Sequence, residues 1–178
     1  MKTFREDGTP LEKMGMSFTG IRTEIAEAAA NWWIDQMSGN KQNWDNGAFE
    51  PGGAKDMEQA AMMTLLGNLA ANTARDRIHT GQFEIFRETL ITSIKEEYER
   101  KMEWAKENSP DRIESGWCNV GLHTDYHPEG ILRDAAEKAG IDGQAFPCKT
   151  GMWISDKKVS VSLGYGADTE IIFNLEKI

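Results

Sequence analysis

Between residues 19 and 37, Ile21, Ile25, Ala28, Ala29 and Trp32 recur at steps of three and four, the spacing that gathers side chains onto one face of an α-helix. Ser17 or Thr19 stands where it can cap the free amides of the first turn. The polar stretch that follows carries Asn46-Gly47 and Pro51-Gly52-Gly53, both strong turn signals. From about 54 to 77, Met57, Ala61, Leu65 and Leu69 are joined by Met62, Met63 and Leu66, so a second helix is apolar over more than one face. Such a helix is expected to be central. Thr80 can cap a third, in which Phe83, Phe86, Leu90, Ile94, Tyr98 and Met102 form a continuous stripe running to about residue 107. Pro110, within ENSPDRIESG, then breaks the period.

Beyond it the period changes to two. Cys118, Val120, Leu122, Thr124 and Tyr126 alternate with Asn119, Gly121, His123 and Asp125, as in a strand with one face toward a core. Pro128 suits the first turn of a following helix, whose apolar face is Ile131, Leu132, Ala135, Ala136 and Ala139. Gly140 can end it in the left-handed conformation. Residues 151–175 read as two or three short strands, with Val159, Val161, Leu163 and Tyr165 on one face. The expected fold class is α+β: a helical N-terminal half of about three helices, then a small, mostly antiparallel sheet with one packed helix. Residues 1–16, polar with Gly8, Pro10 and Gly15, read as a flexible arm, 17–108 as a helical lobe and 117–178 as an α+β lobe that can share its core.

Composition narrows the classes. At 178 residues and 39% hydrophobic, the chain can bury a core without disulfides or metals. It has no run of about 18 apolar residues to cross a bilayer, and its first residues lack the apolar stretch of a secretory signal, so a cytoplasmic protein is expected. Cys118 and Cys148 are accordingly read as reduced thiols. The net charge of −9, from 29 acids against 20 bases, argues against general nucleic-acid binding and suits a basic partner. Negative charge that merely keeps a protein in solution is the simpler alternative.

Chemistry-bearing residues concentrate in GWCNVGLHTDYHPEG, residues 116–130. His123, Asp125 and His127 are ligand types, and a cysteine could complete a zinc sphere. Along an extended strand, however, the two histidines would stand about 13 Å apart at roughly 3.3 Å per residue. Only a sharp turn at Asp125-Tyr126 would bring them together. Cys118 with His123 or His127 as base is a weaker thiol arrangement, since Cys118 starts a strand on the face shared with Val120 and Leu122, and Cys148 has Lys149 beside it but no local base. No phosphate-loop or dinucleotide-binding spacing occurs, and no cofactor is expected.

The third helix is the more informative element. Glu99, Glu103 and Glu107 stand four apart and form one column of like charge. Glu96 can meet Arg100 and Glu97 can meet Lys101, whereas Glu103 and Glu107 have no base four positions on. The column is either a solvated face or a surface that meets Lys and Arg. Trp44, with Asp45 beside it in a polar loop, is an aromatic either packed on the helices or offered to a partner.

NWWIDQM, NWDNG, FPCKTGMWI and VSLGYGA resemble stretches of small proteins carried by mobile elements and phages of gut Firmicutes, a class that includes anti-CRISPR inhibitors. The resemblance spans most of the chain and implies no residue roles. It implies a small, acidic, non-enzymatic protein that occupies a basic surface of an effector nuclease. The leading expectation is therefore an acidic binding protein that inhibits a nucleic-acid-processing enzyme. The alternatives are a metal-dependent hydrolase or nuclease using His123, Asp125 and His127, and an interaction module of mobile-element machinery.

Overall fold

A computed structural model of the protein describes residues 20–38, 57–114, 118–164 and 167–177. Residues 1–16, the capping candidates Ser17 and Thr19, Trp44, Asp45 and Tyr165 lie outside them. The order is α1 (Thr23–Met37), α2 (Met57–Arg75), α3 (Thr80–Asn108), α4 (Pro110–Glu114), β1 (Val120–Thr124), α5 (Gly130–Ala139), β2 (Thr150–Ile154), β3 (Lys158–Leu163) and β4 (Glu170–Asn174). The fold is α+β. Among the described residues, four strands form an antiparallel sheet in the order β1-β2-β3-β4.

The alternation of β1 places Val120, Leu122 and Thr124 inward, and β2 and β3 add Met152, Ile154, Val159 and Val161 to the same face. Leu163, expected with them, is largely exposed at the end of β3. On this inner face lie α1 and α5, and α3 packs along both helices. Ile25, Trp33, Phe86, Leu90, Leu132 and Met152 belong to one continuous buried cluster drawn from both halves of the chain. Its aromatic centre is Phe146, whose ring lies 5.9 Å from Trp33 and 5.7 Å from Phe86. A loop residue after α5 thus joins α1 and α3.

The ends of the elements explain their lengths. α3 begins without the Thr80 cap: Gln82 Oε1 accepts from the His79 amide at 2.9 Å instead. The amide nitrogen of the same side chain donates to the carbonyls of Ala139 and Gly140, at 3.1 and 2.7 Å. One glutamine therefore serves both the start of α3 and the end of α5. Gly140 stops α5 in the left-handed conformation, φ +66°.

The central place expected for α2 is not what the structure shows. Its inward side is made of small residues, with Ala74 buried and Gly67, Ala70 and Ala71 half-buried. This side rests on the 3-10 turn Gly143–Ala145, where Arg75 Nε donates to the Ala145 carbonyl at 3.0 Å. The large residues face the other way: Met62, Leu65, Leu66 and Leu69 are 63, 68, 59 and 62% exposed. Hydrophobic periodicity marked the apolar side correctly, but the protein is packed against the small one.

Candidate functional site

β1 does run into the sharp turn that a joint His123–Asp125–His127 site would require. Residues 125–127 bend, Pro128 bridges back to Thr124, and the Glu129 amide donates to the His123 carbonyl at 3.1 Å. The turn nevertheless sends the three side chains apart. His123 bends back along its strand, with Nε2 2.7 Å from where a Cβ on Gly121 would stand. Its ring meets Trp153 edge to face, 5.8 Å between centroids. Trp153 lies in the same way over Gly151, so each ring occupies the space left by a glycine on the outer face of the sheet. His127 sits at the other end of the turn, its Nδ1 3.3 Å from where a Cβ on Gly143 would stand.

Asp125 is engaged elsewhere. Its carboxylate pairs with the Lys149 ammonium, which also lies 4.1 Å from the centroid of the Tyr126 ring. Lys149 holds a positive φ of +54°, a conformation unfavourable for a side chain with a Cβ. Backbone bonds hold it there: its amide donates to the Asp125 carbonyl at 2.7 Å, and its carbonyl accepts from Gly164 at 2.9 Å. Among the described residues, no three His, Cys, Asp or Glu side chains converge as metal ligands would. What the turn and sheet do form is an open recess of about 330 Å³, lined by His123, Asp125, Glu129, Lys149, Trp153 and Ser162. The Ser162 hydroxyl donates to the Ala167 carbonyl at 3.0 Å. The recess sets an aromatic wall beside an ion pair.

The thiols are free and half-buried. Burial pushes the Cys148 thiol up, and the neighbouring Arg75 guanidinium offsets only part of the shift. That is opposite to the environment of an activated nucleophile.

On α3, Phe86, Leu90, Ile94, Tyr98 and Met102 are buried, which turns Glu96, Glu99, Glu103 and Glu107 to solvent. The ion pairs differ from the sequence expectation in one respect. Glu97 takes both neighbouring bases, Arg100 at 2.7 Å and Lys101 at 3.7 Å, and Glu96 is left out. The Arg100 hydrogen bond is the main cause that holds the Glu97 carboxyl below its usual range. Two further bases of α3 are turned toward α1. Arg87 pairs with Glu27 of α1 at 3.1 Å, and Lys95 donates to Thr23 Oγ1 at 2.8 Å. Among the described residues, no ion pair engages Glu96, Glu99, Glu103 or Glu107. Glu99 is distinct within the set, because its Oε1 lies 3.0 Å from where a Cβ on Gly20 would stand, against the chain leading into α1.

One residue of these surfaces has no place in the sequence expectation. Trp104 is half exposed beside Glu107, with Arg112 5.9 Å from its ring. Its position off the Phe86–Met102 stripe was the available signal. Among the described residues, no helix is long and apolar enough to cross a membrane. No protein-family model matches the chain, and no curated protein matches it.

Proposed function

We propose that the protein is a non-enzymatic acidic binding protein whose outer α3 face occupies a basic protein surface. One observation carries the reading: Glu96, Glu103 and Glu107 are exposed along one helix face without ion pairs among the described residues, while Arg100 and Lys101 are drawn to Glu97, and Arg87 and Lys95 to α1. Carboxylates left uncompensated keep their full charge for a partner and can steer its approach. Trp104, half exposed at the margin of this face, supplies an aromatic anchor of the kind found at interface hot spots. Trp44 and Asp45 are proposed as further contacts from their place in a polar sequence. The resemblance to mobile-element and phage proteins makes the basic, nucleic-acid-recognising surface of an effector nuclease the partner class.

The test uses purified RNA-guided nucleases, with and without guide, in binding and cleavage assays. The full chain should bind one of them, inhibit cleavage, and lose affinity as salt rises, because the Debye length falls from about 10 Å at 0.1 M to about 3 Å at 1 M. Glu96→Lys/Glu103→Lys/Glu107→Lys should weaken binding while the protein stays folded; Glu99 is left intact because it lies against Gly20. Equal inhibition by the reversed variant, or no binding to any nuclease in the panel, would refute the proposal.

A further inference from the structure

The exposed side of α2 has the geometry of a helix-pairing seam. Met62, Leu65, Leu66 and Leu69 follow the steps i, i+3, i+4, i+7, which align knobs along one stripe. Four such residues, each about three-fifths exposed, form one apolar patch of about 400 Å², comparable to the largest patch on a typical monomer, which is often functional. We infer that this face of α2 pairs with the same face of a second copy of the chain.

Charge selects that occupant. The protein carries −9, so two copies repel over most approaches. α2 is the exception: among its 19 residues only Glu58 and Arg75 are charged, one of each sign. Asn72 and Thr73 extend the seam with neutral groups, and the Thr73 hydroxyl is already bonded to the Leu69 carbonyl at 2.8 Å. A basic partner would gain nothing from so neutral a surface, whereas an identical helix meets its own apolar stripe without like charges opposed. Two-fold pairing also gives every seam residue a counterpart, as a closed dimer requires.

Area sets the strength. Each seam residue leaves on the order of 100 Å² in solvent, so pairing two seams removes about 800 Å², below the roughly 1,000 Å² of a stable interface. The dimer is therefore weak and reversible and forms only as the protein concentration rises. Added salt tightens it by screening the repulsion between acidic copies, the reverse of the salt response expected of α3 binding to a basic surface.

Sedimentation equilibrium of the full chain from low micromolar to near-millimolar concentration, at low and high salt, tests this directly. Wild type should shift from monomer to dimer, and at lower concentration in high salt. Leu65→Lys/Leu69→Lys should weaken dimerisation about tenfold or more, although it lowers the net negative charge and so relieves general repulsion. Its melting temperature as a monomer should match that of dilute wild type. A wild type that stays monomeric throughout, or a dimer indifferent to the two lysines, overturns the inference. So does a variant monomer that melts well below the wild-type monomer, because the seam would then be covered within its own chain.

Discussion

Replacing Glu103 with Gln should make the protein more stable. Glu103 stands between Glu99 and Glu107 at four-residue spacing, with about 5–6 Å between Cβ atoms, and none of the three is in an ion pair among the described residues. Each like-charge pair of this kind costs about 0.2–0.5 kcal/mol, so removing the central charge relieves two and returns about 0.4–1 kcal/mol. Glutamine is as good a helix former as glutamate, so propensity contributes almost nothing to the difference. For a domain of this size the gain corresponds to a rise of about 1–4 °C in melting temperature. It should be present near 0.05 M salt and vanish near 1 M, where the Debye length of about 3 Å is shorter than the spacing of the charges. Glu97→Gln is the mirror experiment. Glu97 holds Arg100 and Lys101, so its loss should lower the melting temperature. Its folded carboxyl lies below the usual range, so its contribution is present above the unfolded pKa and is lost as acid titrates the folded group. The melting temperatures of wild type and Glu97→Gln should therefore begin to converge only once the pH falls below the ordinary glutamate value of about 4.3. A fall in melting temperature for Glu103→Gln, or a gain unchanged by salt, would mean that Glu103 has a partner and that the acidic face is compensated.

Three other outcomes follow from the core and its ends. Burial is the main cause that pushes Tyr98 up to about 12, so the neutral phenol stabilises the fold fully below its unfolded pKa near 10, and that contribution is lost as pH rises through the folded value; Tyr98→Phe should flatten the alkaline limb of a stability–pH curve. Gly140→Ala puts a Cβ on a residue at φ +66° and should cost about 1–2 kcal/mol in urea unfolding. Phe146→Ala empties the space between Trp33 and Phe86 and should cost about 3–5 kcal/mol, again by urea unfolding; a value under 1 kcal/mol would contradict the shared aromatic centre.

The alternation around Val120 and Leu122, the α3 stripe and the Gly140 stop were legible because each follows from backbone geometry alone. The placement of α2 was not. Periodicity locates an apolar stripe without saying whether Leu65 or Ala74 meets the protein, and here close approach to the Gly143–Ala145 turn favours the alanine side. His123 illustrates the same limit at the candidate site. Its spacing to His127 left a turn possible, and the turn exists, but the ring's direction depends on the empty space over Gly121 and on Trp153 from another strand. The choice of Arg100 between Glu96 and Glu97 likewise rested on side-chain direction, which a count of positions does not contain. The acidic column itself was readable from the chain; Trp104 as its neighbour needed the helix to be oriented first.

The packing of α1 against β2, β3 and β4 also orders events during synthesis. Roughly 120 residues separate the end of α1 from the start of β3, and at about 5–20 residues per second the ribosome needs about 6–24 s to make them. Throughout that interval Ile25, Trp33 and Met37 lack the sheet that later covers them. The nascent N-terminal segment is thus a client for chaperones that hold apolar stretches, and a message truncated before β3 should yield a chain that is degraded or aggregates. Production of folded protein should consequently be all-or-none with respect to the final strands.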